Sequence, residues 1–164
     1  MTTEYKEVLM ESEENELTKE ANPGLSAHQS AKNDSAGKKD SNNDESSILK
    51  SRLSPFIREI AKRKALNITA IDVRELTSYA DVIVVVTASS QRQAASIAEH
   101  LYTEMKKTGN MPLGVEGLKE GNWALLDFGD IIIHIFNKET CDFYNIEGLW
   151  SDAPRLELLD IAEA

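Results

Sequence analysis

Residues 122–137 read NWALLDFGDIIIHIFN, which is two apolar runs separated by the sequence Phe-Gly-Asp. Gly129 lies at the centre of that separator and can adopt the positive backbone φ that many tight turns require. Two apolar runs of this length joined through a glycine are typical of paired antiparallel strands. The stretch therefore predicts a β-hairpin with strands at 122–128 and 130–137.

Further strands are predicted on the N-terminal side of the hairpin. Residues 81–89 read DVIVVVTAS, an unbroken apolar run that is typical of a central strand covered on both faces. Alternation of β-branched residues predicts a strand at 67–73, and the sequence PLGVEG at 112–117 is a shorter candidate. The whole pattern predicts an α/β fold, a small mixed sheet of about five strands with two to three helices.

The helices are predicted from the spacing of their apolar residues. One covers roughly 48–64, and Pro55 either follows a cap at Ser54 or kinks a longer helix. A second helix begins after Ser90, whose side chain can form a capping box with Gln93. A short helix or turn is expected within 138–150. The second helix should cover the sheet with one apolar face, made of Ala94, Ile97, Ala98, Leu101 and Met105.

The two ends of the 164-residue chain differ in composition from its middle. The first 47 residues hold 11 acidic and 5 basic side chains and few apolar ones. Such a segment buries too little apolar surface to offset the entropy of ordering, so 1–47 is predicted to be a disordered acidic extension. It is either a solvated tail or a docking segment, with a transient helix at 4–20 around Val8, Leu9 and Leu17. The domain is predicted at 48–152 and a polar tail at 153–164.

The net charge of −10 and the single cysteine restrict the function. A protein that grips nucleic acid through phosphates needs an excess of Lys and Arg, so no direct sequence-specific contact with nucleic acid is expected. Cys141 cannot form an intramolecular disulfide, which is typical of a reducing compartment, and an inert thiol is expected. No apolar run is long enough to span a bilayer and no export signal is evident. We therefore expect a cytoplasmic protein without a membrane partner.

Three carboxylates are the candidates for a catalytic site. Asp81, Asp127 and Asp130 could hold Mg²⁺ for nucleotidyl transfer, which requires carboxylates that project together. Alternation does not place Asp127 and Asp130 on one strand face, because they are three residues apart across a glycine. The sequence also lacks a glycine-rich loop that would cradle a phosphate. Catalysis, a cofactor and a metal site are therefore not expected.

His134 and Trp123 are the candidates for a binding surface. His134 lies in an apolar strand, where we expect a partly exposed, hydrogen-bonded residue at the edge of a sheet face rather than a metal ligand. The first strand of the hairpin is apolar on both sides, and Trp123 belongs either to the core or to a protein-binding face. Aromatic residues dominate interface hot spots, which is why a protein-binding face is considered for Trp123.

The order of the motifs resembles one known family. LTSYAD (76–81) and SSQRQ (89–93) are followed by PLGVEG (112–117), by the pattern W-x₃-D-x-GD-x₃-H (123–134) and by LW (149–150). This resembles the Iojap family of ribosomal silencing factors over roughly residues 48–152. The resemblance implies an α/β domain similar to nucleotidyltransferases but without their catalytic residues. It also implies that the protein is not an enzyme.

The same resemblance implies a function. A protein of this family is expected to be a translational repressor that binds large-subunit ribosomal protein fourteen and sterically blocks joining of the small subunit. The family usually has a basic residue shortly before its Phe-Tyr pair, whereas this chain has Cys141-Asp142, so a contact by that side chain is not expected. The partner-binding residues implied are Trp123, Asp127, Phe128, Asp130 and His134.

Two other functions fit the same residues. A large-subunit assembly factor would use the same docking surface, so the sequence does not separate it from a repressor. A divergent magnesium-dependent nucleotidyltransferase would use the three carboxylates. The apolar faces of a small sheet could also pair two copies, which makes a homodimer of the free protein an open alternative.

Overall fold

One six-stranded mixed sheet with helices on both faces is described for residues 39–162 in a computed structural model of the chain. The strands lie in the order β3-β4-β5-β2-β1-β6, and β2 pairs with β5 in parallel while the other pairs are antiparallel. Among the described helices, none has both the length and the apolar composition needed to cross a bilayer. The elements are α1 (Lys39–Ala61), β1 (Asn67–Asp72), β2 (Val82–Ala88), α2 (Gln91–Lys107), β3 (Gly114–Glu116), β4 (Trp123–Asp127), β5 (Ile131–Asn137), α3 (Lys138–Tyr144), α4 (Ile146–Leu149), β6 (Arg155–Leu156) and α5 (Leu159–Ala162).

The strand β2 confirms the prediction of a central strand covered on both faces. Its first five residues are all buried. Val82, Val84 and Val86 pack into one core, with α1 and α2. Ile83 and Val85 point the opposite way, into a second core that includes Ile146 of α4. Alternation therefore sends successive side chains into two apolar layers, which explains why the sequence shows no polar–apolar period here.

The predicted hairpin and the second helix are also confirmed. β4 pairs with β5 through a turn in which Gly129 has φ +88°. All five residues of the predicted apolar face of α2 are buried. Ser90 caps α2 by accepting the amide N–H of Gln93 at 3.2 Å. In a capping box the Gln93 side chain would also accept the amide N–H of Ser90. Here it accepts the amide N–H of Ser89 instead, and it donates to the carbonyl oxygen of Lys64, beyond the end of α1.

The first helix begins earlier than its apolar spacing predicts. α1 starts at Lys39, so residues 39–47, for which the composition predicts disorder, are helical. The helix also runs through Pro55 without ending there. Buried Leu53 and Phe56 on either side hold it against the sheet, and this packing offsets the hydrogen bond that proline cannot donate. Residues 1–38 lie outside the described residues, as does the helix suggested at 4–20.

The C-terminal segment is not the polar tail that its composition suggests. β6 adds a sixth strand by pairing with β1, where Ala70 lies opposite Leu156. The buried side chain of Ile161 on α5 belongs to the same core as α1. A two-residue strand and a single helical turn are too short to give a periodic signal, so only the neighbouring β1 and α1 stabilise them.

Arg74 fastens the N-terminal part of α1 to the end of β1. Its guanidinium donates to Asp72 Oδ2 at 2.7 Å and pairs with Glu45 Oε2 at 3.3 Å. The hydrogen bonds from Arg74 hold the pKa of the Asp72 carboxyl below its ordinary value. α1 therefore starts beside the loop between β1 and β2.

Replacing Arg74 by Met is expected to lower the free energy of unfolding by about 1 kcal/mol or less at neutral pH, because partly exposed ion pairs are screened. The folded pKa of Asp72 is lowered, so the pair's contribution is complete above the ordinary value of about 4 and disappears as pH falls through the folded pKa. Urea unfolding from neutral pH to about pH 2.5 measures this, with Arg92→Met at an exposed position of α2 as the control. A wild-type minus Arg74→Met difference that is constant with pH would contradict it.

Candidate functional site

The register of β4 against β5 assembles one face from residues that are distant in the hairpin sequence. Trp123 lies opposite Phe136, Leu125 opposite His134, and Asp127 opposite Ile132. Residues that lie directly opposite each other share a face of the sheet. We call these six residues the Trp123 face. It is the face opposite to the one covered by α1 and α2, and it carries three of the five residues predicted to bind a partner.

Trp123 and His134 are joined by a buried hydrogen bond. The indole Nε1–H donates to His134 Nδ1 at 3.0 Å, so that nitrogen is the acceptor and carries no proton in this arrangement. Trp123 is 8% exposed and His134 is 0% exposed. The expectation of a partly exposed histidine at a sheet edge is therefore wrong. The physical reason is the position of β5, which lies between β4 and β2 in the interior of the sheet.

A tight turn before β4 fixes the position of Trp123. Gly117 has φ +67°, and a Cβ at this position would collide with the carbonyl oxygen of Trp123. Only glycine lets the chain return this closely from β3 to β4. β3 then forms the outer edge of the sheet, so the hairpin strand β4 is an interior strand.

The helix α3 extends this aromatic cluster towards the surface. The ring of Tyr144 lies 4.7 Å from that of Trp123 and contacts Phe143 edge-on at 5.1 Å. Phe143 is 77% exposed. Neither Tyr144 nor Phe143 is among the residues predicted from the sequence to bind a partner. The signal was the Phe-Tyr pair in the family motif, which comes six and seven residues after the end of the buried strand β5, just under two helical turns.

The other two predicted partner residues point towards α1. Phe128 packs edge-on against Phe56 at 4.8 Å. Asp130 forms an ion pair with Arg52, whose guanidinium also donates to Asp81 at 3.0 Å. These contacts hold the hairpin turn against α1, and the residues do not lie on the Trp123 face.

The three carboxylates considered for metal-dependent transfer have structural partners. Arg52 bridges Asp81 and Asp130, while Asp127 Oδ1 accepts the amide N–H of Gly129 at 2.7 Å within the turn. Within the part of the chain that the structure describes, no three His, Cys, Asp or Glu side chains group in a way that could hold a metal ion. The arrangement fixes the turn and the start of β2, and it has the geometry of an ion-pair network.

Cys141 has the properties of a structural thiol. It lies on α3 beside Thr87, and their Sγ and Oγ1 atoms are 3.2 Å apart. Burial raises the pKa of the Cys141 thiol, which keeps it protonated at neutral pH. A protonated thiol is a poor nucleophile, so the geometry gives this cysteine a packing role.

Comparison with known proteins identifies the family. The family model described as "Ribosomal silencing factor during starvation" matches residues 44–164. The chain belongs to this family. Its resemblance to Iojap proteins is thereby confirmed, and the match includes the C-terminal strand and helix that the sequence pattern missed. Members of the family are ribosome regulatory proteins.

Individual relatives agree with this membership. A ribosomal silencing factor of Halalkalibacterium halodurans is 30% identical over 102 residues, which are 62% of this chain and 87% of that one. The chloroplastic Iojap protein of Arabidopsis thaliana is 33% identical over 108 residues, 63% of this chain and 44% of that one. A crystal structure of a Chromobacterium violaceum protein superposes with a TM-score of 0.58 at 32% identity, covering 63% of this chain and 85% of that chain.

Replacing Trp123 by Phe tests the buried hydrogen bond, because it keeps an aromatic ring and removes the indole N–H. The free energy of unfolding is expected to fall by at least about 1 kcal/mol, the usual contribution of such a bond. Urea unfolding at neutral pH measures it. The control is Phe143→Leu at the exposed ring, which should change stability by less than about 0.5 kcal/mol. Equal effects of both substitutions would contradict the assignment.

Proposed function

We propose that this chain is a cytoplasmic translational repressor that docks on the large ribosomal subunit through large-subunit ribosomal protein fourteen. An occupied subunit would then be sterically unable to join the small subunit. The observation that carries the proposal is the aromatic cluster that links buried Trp123 through Tyr144 to exposed Phe143, in a member of the ribosomal silencing family. The protein needs no chemistry of its own for this function.

The composition of the face suits a basic protein partner. Exposed and half-buried aromatic rings provide large apolar contact areas at low entropic cost, which is typical of interface hot spots. Asp127 lies at one end of the Trp123 face, and Glu116 lies opposite Leu125 on β3. Together with the net charge of −10, these carboxylates would attract a basic ribosomal protein and orient it as it docks.

The five residues predicted to bind the partner have two roles in this proposal. Asp127 contributes to the docking surface, and buried Trp123 supports its aromatic part from beneath through Tyr144. Fully buried His134 fixes the orientation of the indole through its Nδ1. Phe128 and Asp130 act indirectly, since their contacts with α1 fix the turn from which β5 starts. We add exposed Phe143 as a direct contact residue.

Sedimentation of purified ribosomal subunits tests the proposal, with protein added before magnesium-driven joining. Wild-type protein is expected to migrate with free large subunits and to decrease the peak of joined ribosomes. Phe143→Ala should weaken binding about tenfold, because this exposed ring loses contact area worth roughly 1.4 kcal/mol. Trp123→Ala should weaken binding about thirtyfold where it folds, roughly 2 kcal/mol, because it removes the buried ring on which Tyr144 and then Phe143 pack. Leu159→Ala is the matched control, since this leucine is 79% exposed on α5, which packs against α1.

Two other results would change the interpretation. Failure of the wild-type protein to migrate with large subunits at micromolar concentration would sink the proposed docking. Co-migration that leaves the joined ribosomes undiminished would favour the assembly factor, which uses the same surface without preventing joining.

A further inference from the structure

The helical side of the sheet is basic, although the chain as a whole is acidic. Residues 48–66 and 89–111, which contain the second half of α1 and all of α2, hold nine basic and three acidic side chains, a net charge of +6. Residues 122–162, which contain β4, β5 and α3, hold two basic and eight acidic side chains, a net charge of −6. The net charge of −10 therefore hides a strongly uneven distribution.

Cations of the helical side meet at an open groove beside α2. The groove has a volume of about 750 Å³, and Arg63, Arg92 and Lys119 lie along it. These residues come from three separate segments, namely the end of α1, the first turn of α2 and the loop between β3 and β4. We call this feature the basic groove.

Specific contacts hold the three segments together. The side-chain amide of Gln93 donates to the carbonyl oxygen of Arg63 at 3.2 Å, which fixes the end of α1 against α2. Gly121 lies so close to the carbonyl oxygen of Gln91 that a Cβ would collide with it, and this approach fixes the loop that carries Lys119. Folding thus brings like charges together, and their mutual repulsion opposes folding. An anionic ligand would remove that repulsion.

The cations of the basic groove keep their charge available to a ligand. Arg63, Arg92 and Lys119 are all exposed. Among the ion pairs of the described residues, none joins any of these three to a carboxylate. Arg63 donates instead to His100 Nδ1 at 2.9 Å, and an imidazole nitrogen that accepts a hydrogen bond carries no proton. The guanidinium is therefore oriented along the groove without being paired.

Three carboxylates also line the groove, but they lie largely away from its cations. Glu104 is already paired with Lys107 at 2.7 Å. Glu99 follows Arg92 by seven residues, so it lies about 10 Å further along α2. Glu120 is exposed in the loop and offsets part of the charge there. The positive potential is consequently strongest beside the first turn of α2.

The basic groove lies at the same end of the sheet as exposed Phe143. Since β2 and β5 are parallel, α2 and α3, which follow them, both start at that end. Asn122 Oδ1 accepts hydrogen bonds from Gln91 at 2.6 Å and from Asn137 at 3.1 Å, and it thereby joins the starts of the two helices. A large subunit that contacts Phe143 would therefore have the basic groove beside it.

We propose that the basic groove binds the phosphate backbone of RNA on the large ribosomal subunit. The contact on the subunit rests on the proposed function, whereas the affinity of the groove for RNA does not. RNA suits the groove because its closely spaced phosphates match cations that lie along a line, and because RNA surrounds the proteins of a ribosomal subunit. Phosphate contacts position a protein without reading sequence. The contact therefore fixes the orientation of a protein whose acidic side meets a basic protein.

Two variants of the full chain with equal net charge test the groove. The groove variant carries Arg92→Gln and Lys119→Gln, both at exposed positions. The control variant carries Lys106→Gln and Lys107→Gln, which removes the same charge at the other end of α2, about 20 Å from Arg92. Urea unfolding checks that both variants remain folded.

The first measurement uses no ribosomes. A short RNA duplex is added to the protein at low salt, up to millimolar concentration, and backbone amide signals are followed by NMR. Signals around Arg92 and Lys119 are expected to shift, those around Phe143 and Lys106 to stay in place, and the groove variant to lose most of the response. The absence of shifts at millimolar RNA, or an equal response of the groove variant, would overturn the site. A larger response to phosphatidylglycerol vesicles at the same phosphate concentration would overturn it in favour of a membrane surface.

The second measurement is the affinity for purified large subunits as a function of salt. Removing cations strengthens the attraction of the protein to a basic ribosomal protein but weakens its attraction to RNA, so the two contacts predict opposite signs. The groove variant is expected to bind about tenfold more weakly than the wild type, and the slope of log affinity against log salt should decrease by about 1.5. The control variant should bind at least as tightly as the wild type.

The results separate this inference from the proposed function. Binding of the groove variant that equals or exceeds that of the wild type would overturn the RNA contact on the subunit and leave docking through the protein partner intact. If the wild type does not bind large subunits, the proposed function fails, while the RNA titration still decides whether the basic groove binds phosphates.

Discussion

The parallel pairing of β2 with β5 is the constraint on which the rest of the fold depends. Both strands are apolar along almost their whole length, and each sends side chains to both faces of the sheet. Neither face can therefore remain in water, because each buried aliphatic side chain contributes roughly 1.5–3 kcal/mol of transfer free energy. α1 and α2 cover one face, and α3, α4 and the chain that follows cover part of the other.

A buried histidine in the middle of β5 connects the fold to the site. His134 is fully buried, so its ring nitrogens need partners within the protein, and Trp123 provides one of them. The hydrogen bond orients the indole at the end of the face where α3 adds Tyr144. A requirement for satisfying a buried polar group thus places the aromatic residue on which the proposed docking depends.

The sequence by itself determined the secondary structure with strong local signals and the family. The hairpin at 122–137, the central strand and the buried face of α2 each follow from apolar periodicity or its absence, which are local properties. The order of the motifs indicated the Iojap family, and the family match confirms it. Composition predicted a disordered acidic extension over residues 1–47; residues 39–47 are helical, and residues 1–38 lie outside the described part of the chain.

Only the tertiary structure decided the early start of α1, the sixth strand, the interior position of β4 and the burial of His134. β6 and α5 are too short to be stable alone, and they exist because β1 and α1 offer a free edge and an apolar surface. The strand order β3-β4-β5-β2 places His134 inside the sheet, and nothing local to residue 134 encodes which strands will flank it. The burial of a residue depends on neighbours that are distant in the chain, which is the physical reason why the burial of His134 does not follow from its local sequence.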